Sequence, residues 1–499
     1  MNPNENTMRR DGPAPERTCD KQLMPGRPCD GQTAPEQSAP GRPWDGVPMP
    51  ERLWVILAVA FGVSLSVLDA TISNVALPTI AHRLGVSEAN SIWVVNAYQL
   101  ATVVTLLSFS ALAEIKGYRR VYIGGLVLFT LASAGCALSH SLTALIVSRI
   151  GQGIGAAAVT SINTTLIRII YPRRQLGRGL GINATVVAVS SVAGPTLAAA
   201  ILSVAPWQWL FAVNLPVGLC AILLSRRFLP DNPVRTPGRR FDWRDGAMNG
   251  LTFGLLIASI EGYSHGLELK WVAVGLLLLL LAGRSFIKSQ LRKENPLLPF
   301  DLLRIPIFSV SVATSVSSYI AQMTAMVALP FYLQHVLGYT ATGTGLLLTA
   351  WPAVIVAAAP VAGLLVERVH AGLLGGAGLL TMGAGLLLLY LLPEQPTDFD
   401  IVWRLALAGV GFGFFQSPNN SMLIASAPPE RSGSASGMLA SARLVGQTSG
   451  AALVAALFHL YEPVEGSRTA LALAALAAFI GAAISLSRLS LPPPEALCR

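Results

Sequence analysis

The segment VLDATISNVALP, Val67 to Pro78, places one carboxylate, Asp69, inside an apolar run that begins at Leu53 and meets no other charge before His82 and Arg83. An ionisable side chain at mid-membrane costs at least about 2.5–3.5 kcal/mol on insertion scales, so its default reading is functional. Gly62, Ser66, Asp69 and Ser73 are spaced i, i+4, i+7, i+11 and share one narrow helical face. That small, polar stripe is predicted to line a cavity or a helix contact rather than to face lipid. A carboxyl there can load and release a proton, or attract a cation. A structural carboxyl that hydrogen-bonds a neighbouring helix is the other reading of the same residues.

A second stripe, Arg149, Gln152, Ala156, Thr160 and Asn163, again forms one polar face within an apolar span. A buried guanidinium needs an acceptor, and Asp69 or a carbonyl is the obvious candidate. The pair is either a coupling device or a static tie between helices. Arg443, with Ser436, Gln447 and Gly450 on its face, is a third position, which can also lie near a span end and reach water. Glu261 sits near a span end and reads as interfacial. Ser190, Gly194 and Ala198 recur every four residues beside Pro195. Small residues at that spacing let two helices approach closely, and proline interrupts the backbone ladder. Gly409, Gly411, Gly413 and Pro418, with Gln416, Asn419 and Asn420, mark a similar weak point. Gln322, Met323 and Met326 lie with Tyr319, Phe331 and Tyr332 on one span and are candidates for a substrate cavity, together with Gln152, Asn163, Gln416 and Asn419.

The elements that must hold these residues are membrane helices. Of the 499 residues 53% are hydrophobic and 12% charged, and the mean hydropathy is +0.56. A soluble chain carries roughly a quarter charged residues. Apolar runs long enough to cross a bilayer, about 20 residues each, are expected at roughly 53–80, 91–113, 121–139, 142–169, 178–204, 208–229, 245–263, 270–288, 307–335, 343–366, 371–393, 401–427, 433–459 and 468–488, fourteen in all. The net charge of +9 sits in short breaks between these runs, which argues against nucleic acid. One set of breaks holds Lys116, Arg119, Arg120, Arg173, Arg174, Arg226, Arg227, Arg239, Arg240 and Lys288; the other is nearly bare. The basic set is therefore predicted to be cytoplasmic, with both termini on that side.

Longer basic breaks after the sixth and eighth spans divide the chain. A cytoplasmic tail at 1–50 is predicted to be disordered. A six-helix bundle at 51–230, a two-helix insert at 245–290 and a second six-helix bundle at 305–488 follow, with a short tail at 489–499. Two bundles around a central path are a transporter architecture. The five cysteines form no CxxC pair, no His/Cys cluster has metal spacing, and no nucleophile–base set is visible. No enzyme activity, metal or cofactor is expected.

Several segments resemble the fourteen-helix drug:proton antiporters of the major facilitator superfamily. LDATISNVALP (68–78) resembles the first-helix signature, SFSALAEIKGYRRVY (108–122) the loop motif between the second and third helices, and RIGQGIGAA (149–157) the fourth-helix motif. SSVAGP (190–195) is similar to the fifth-helix antiporter motif and WQWLFAVNLPVG (207–218) to the start of the sixth helix. GFGFFQSPNN, ERSGSASGM and RLVGQTSG (411–420, 430–438, 443–450) fit the second half. The resemblance implies alternating access driven by a proton gradient, with Asp69 and Arg149 in proton handling and Glu114, Gly117 and Arg119 as a cytoplasmic latch. Ser110, Glu114, Ile115 and Tyr118 depart from the usual loop motif, as Ser190 does from the leading glycine of the antiporter motif.

The expectation is a monomeric, proton-coupled exporter of amphipathic, cationic drugs or toxic compounds in the inner, cytoplasmic membrane, with protons, a small-molecule substrate and the lipid bilayer as its partners. A narrow-specificity exporter of a metabolite is the alternative within the family. A non-transporting membrane sensor or scaffold is the alternative of another class.

Overall fold

The computed structural model describes residues 46–172, 175–231, 243–264, 269–293, 300–366, 368–427 and 431–491. Most of both predicted tails, with Cys19, Cys29 and Cys498, lies outside the described residues, as does the side chain of Glu261. The described residues fold into helices and contain no strand.

The first six spans are α1 (Glu51–Leu84), α2 (Glu88–Lys116), α3 (Tyr118–Ala137), α4 (Leu142–Ile170), α5 (Leu176–Val204) and α6 (Trp209–Phe228). Two follow, α7 (Trp243–Ser264) and α8 (Leu269–Gln290). The last six are α9 (Pro306–Val336), α10 (Ala341–Leu365), α11 (Ala371–Tyr390), α12 (Asp398–Ala425), α13 (Ser432–Leu460) and α14 (Pro463–Ser490). All fourteen predicted spans correspond to helices. Eleven of the described helices are long and apolar enough to cross a membrane by length and composition. The other three, α7, α12 and α13, are 22, 28 and 29 residues long and are the ones interrupted by charge, glycine and serine.

The two sets of six repeat one packing scheme. In the first, α1 packs on α5 and α6, α4 on α2 and α3, and α3 on α6. In the second, α9 packs on α13 and α14, α12 on α10 and α11, and α11 on α14. Adding eight to each helix number in the first list produces the second. The sets meet along α1–α9 and along two equivalent seams, α5–α10 and α2–α13. That is the pattern a pseudo-two-fold repeat leaves.

Glycine makes the close contacts inside the second set. A Cβ at Gly411 would stand 2.3 Å from the Met382 backbone nitrogen, and one at Gly409 2.6 Å from the Trp351 carbonyl oxygen. The predicted weak point of α12 is thus a helix held tightly between α10 and α11. α8 lies at the other extreme: only 11% of its most apolar window is buried, and Leu276, Leu277, Leu278, Leu280 and Leu281 are exposed. A continuous apolar surface of that kind fits lipid.

The small-residue face of α5 serves two partners. Ser190 donates to the Ser64 hydroxyl at 2.9 Å, and a Cβ at Gly194 would stand 1.9 Å from Thr71 Oγ1 and 2.7 Å from its Cβ, both on α1. On the other side Thr342 donates to the Ala199 carbonyl at 3.3 Å, the Thr196 and Thr349 hydroxyls lie 2.9 Å apart, and Gly345 leaves room for the Pro195 carbonyl. The predicted seam therefore joins α5 both to its own half and to α10. Thr71 is β-branched and bonded to the Val67 and Leu68 carbonyls, so it yields little. Gly194→Ala is expected to destabilise the detergent-solubilised protein by about 1–3 kcal/mol, read as a lowered melting temperature. Adding Thr71→Ala, which removes Oγ1 but keeps the Cβ, is expected to recover part of that loss; no recovery would show that the clash lies elsewhere.

Candidate functional site

Asp69 and Arg149 form an ion pair inside the first six helices, each side chain 1% exposed. The stripe that carries Asp69 is buried along its length: Gly62 leaves space for the Tyr122 hydroxyl, Ser66 and Ser73 are buried, and the Ser66 carbonyl accepts from Tyr98 at 3.4 Å. Of the two sequence expectations, cavity lining or helix contact, the structure shows the contact.

Both carboxylate oxygens are occupied. Arg149 Nη1 donates to Asp69 Oδ2. Gln152 Nε2 and Asn214 Nδ2 donate to Oδ1 at 3.1 and 2.8 Å. Arg149 is served as fully: Nη1 also donates to Gln152 Oε1 at 2.8 Å, and Nε donates to the Val94 carbonyl at 2.8 Å. Its guanidinium carbon lies 4.4 Å from the centre of the Tyr98 ring and 5.6 Å from that of Phe211, within range of cation–π attraction. Gln152 continues the network to Ser133 at 2.8 Å and accepts from the Cys136 thiol at 3.2 Å. Five spans, α1, α2, α3, α4 and α6, thus contribute to one polar knot. Two opposite charges in such a site cancel, and the surrounding dipoles satisfy what the pair leaves over.

Asn214, Ser133, Cys136 and Tyr98 are the members that residue patterning missed. A buried asparagine in an apolar run, within WQWLFAVNLPVG, was the available signal for Asn214; the other three look like ordinary helix residues until the spans are packed.

The remaining candidates disperse. Asn163 leaves the knot and donates to Asn183 on α5 at 2.9 Å. Met323 meets Gln99 of α2 at 3.6 Å, a contact between the two halves. Gln322 and Met326 are half-buried on the same helix. Gln416 donates to the Tyr319 hydroxyl at 3.1 Å, and the Tyr319 ring packs edge-on against Phe412. Asn419 is buried and belongs to another group: it accepts from Arg488 and donates to Ser315 Oγ at 2.7 Å. Arg488, 1% exposed, was missed because it stands at a span end, where a basic residue looks interfacial.

At the basic end, Gly117 takes φ +104° between α2 and α3, a conformation that favours glycine. Arg119 pairs with Asp231 at 3.0 Å and donates to the Arg226 carbonyl at 2.6 Å, which ties α3 to the end of α6. Glu114 stands half-buried one turn before Gly117.

Comparison with known proteins accounts for this assembly. The model of the Major Facilitator Superfamily matches residues 59–320 and 311–497. The chain is 55% identical over 446 residues to the uncharacterized transporter YebQ of Escherichia coli (strain K12), covering 89% of this chain and 97% of YebQ. It is 31% identical to the multidrug resistance protein Stp of Mycobacterium tuberculosis, over 81% of this chain and 75% of Stp. A crystal structure of a POT family transporter in complex with a thioalcohol-conjugated peptide superposes with a TM-score of 0.68 at 16% identity, covering 87% of this chain and 95% of that one, which is a likeness of fold. A buried ion pair inside a twice-repeated six-helix scheme, and a family match that runs through both repeats, lead to one conclusion: the chain belongs to the Major Facilitator Superfamily and is a multi-pass membrane transporter.

Proposed function

We propose that this transporter is a proton-coupled exporter of amphipathic compounds. It works in the cytoplasmic membrane as a monomer, with both termini in the cytoplasm and resistance to toxic compounds as the outcome. The observation that carries the proton coupling is the buried Asp69–Arg149 pair. A buried pair is weak evidence for stability, because desolvation offsets much of the Coulomb gain. Its presence in an apolar bundle points to a role in transport.

The coupling step runs as follows. A proton on Asp69 removes the negative charge that Arg149, Gln152 and Asn214 hold in place. The bonds from Gln152 and Asn214 become neutral ones, roughly half as strong, and the bond from Arg149 loses its ionic partner. Arg149 keeps the Val94 and Gln152 oxygens and the Tyr98 face, while the tie of α1 to α4 and α6 is weakened. α1 also carries Thr71 and Ser64, the α5 contacts beside the seam with α10. Unlocking the knot therefore frees the helix against which the two halves, 51–230 and 305–488, rock. Glu114, Gly117 and Arg119 act as the latch at the cytoplasmic end. Asp69 is engaged by Arg149, so it offers no vacant carboxylate to a cationic substrate; the substrate's charge has to be read from another residue.

Asp69→Asn is expected to insert and bind substrate yet abolish substrate-induced proton movement in proteoliposomes; coupling that survives in this variant excludes the role. Arg149→Ala leaves Asp69 uncompensated and is expected to cost about 3–5 kcal/mol of stability. Asp69→Asn with Arg149→Gln should regain thermal stability over the Arg149→Ala single variant and remain uncoupled, which separates the structural tie from the proton role. Inside-out vesicles energised by respiration are expected to accumulate an amphipathic dye and to release it when the pH gradient collapses. Uptake by right-side-out vesicles alone would reverse the direction.

A further inference from the structure

Arg443 is the charged residue in the middle of α13, eleven residues from its first residue, Ser432. Its neighbours Ala442 and Leu444 are buried, at 4% and 7% exposure, yet Arg443 is exposed. The packing of α13 shows toward what. Leu444 packs with Val103, Leu106 and Ala157 of α2 and α4. Gly446 and Gly450 fit against Tyr319, Ile320 and Met323 of α9. At about 100° per residue these contacts flank Arg443 on either side. The outer edge of the α2–α13 seam is closed by α7: Asn249 donates to the Val104 carbonyl at 2.9 Å, and Phe253 packs in the same cluster as Leu444. Arg443 therefore opens between the two halves, not to lipid.

Among the described residues no hydrogen bond or ion pair engages Arg443. In the second six spans the carboxylates stand only at the ends, at Asp398, Asp400 and Glu465. In the first six, Asp69 is neutralised by Arg149. Arg443 thus stands exposed on α13 without a counter-charge among the described residues. Gln447, half-buried, follows one turn along the same face, and on the adjoining α9 Tyr319 and Met323 are buried against Gly446 and Gly450, with the Gln416 amide donating to the Tyr319 hydroxyl.

We propose that Arg443 anchors an anion subsite in the transport path, and that the transported compound carries a carboxylate or sulfonate on an apolar, aromatic body. The inference rests on the transport reading above and names its substrate class. A guanidinium grips such a group through two parallel N–H donors. Methionine and aromatic walls suit the apolar body without demanding one shape. The membrane potential assists: moving one charge through 100 mV is worth about 2.3 kcal/mol, and for an anion leaving a negative interior the sign favours export.

Three probes with one aromatic core test this: naphthoate, naphthamide and naphthylmethylammonium. Binding is measured on the full-length protein in nanodiscs and uptake in inside-out vesicles. The wild type is expected to bind naphthoate most tightly. Arg443→Gln should weaken naphthoate by about tenfold or more, the scale of a charge-assisted hydrogen bond, and leave naphthamide unchanged. Arg443→Lys should keep part of the naphthoate affinity, and Arg443→Glu should favour the ammonium probe. Undiminished naphthoate binding in Arg443→Gln, a wild-type preference for the ammonium probe, or no saturable binding of naphthoate each overturns the proposal. Uptake of naphthoate that ignores the pH gradient would instead sink the proton coupling and leave the subsite standing.

Discussion

The Asp69–Arg149 pair is the constraint around which the first half is assembled. Its bonds draw α1, α2, α3, α4 and α6 to one point. In water such bonds would be exchanged for hydration at little net gain. Inside an apolar bundle no such exchange is available, so each donor and acceptor has to be met by protein, and the helices must come together at the height where the groups stand. The pair thus sets which faces of these spans turn inward, and hydrophobic matching alone could not do so among helices that are apolar all round.

The second half repeats the helix scheme without repeating the knot. Its polar centre is Asn419 with Arg488 and Ser315, a cation with neutral partners. Glycine contacts at Gly409 and Gly411 make up the difference by bringing backbones close, where dispersion and shape do the joining. The two seams between the halves are also unequal. The α5–α10 seam is lined by small residues and hydroxyls. The α2–α13 seam carries α7 across its outer edge, with Asn249 bonded to α2. The inserted pair of helices is thereby more than a lipid-facing addition: α7 roofs one of two otherwise equivalent clefts and leaves the other to small side chains.

Much of this was legible in the residues. Fourteen apolar runs became fourteen helices, because a bilayer fixes their length and leaves the backbone little choice. The stripes through Asp69 and Arg149 were visible because the helical period places four-residue spacings on one face. Which neighbour each stripe meets was not legible. Ser133 and Cys136 approach Gln152 only through the packing of α3 on α4, and their types carry no special signal. The substrate candidates show the same limit: Asn163, Met323, Gln416 and Asn419, three amides and a thioether, bond to four different partners. Arg443 was ambiguous between water at a span end and the interior, and the positions of α7 and α9 beside α13 support the interior reading proposed above.

The charge distribution follows from these placements. One carboxylate and one guanidinium cancel inside the first half, and a second guanidinium, Arg443, stands exposed on α13. Tyr98 is stacked on Arg149. On the coupling proposed above, a proton on Asp69 leaves Arg149 without its counter-charge, so that Arg149 and Arg443 repel one another. At an effective dielectric near 20 such a repulsion is on the order of 1–2 kcal/mol. That is comparable to the free-energy gap between conformations of a two-state protein. On that proposal, proton entry and the state of Arg443 act on one equilibrium, with no chain of moving parts needed to connect them.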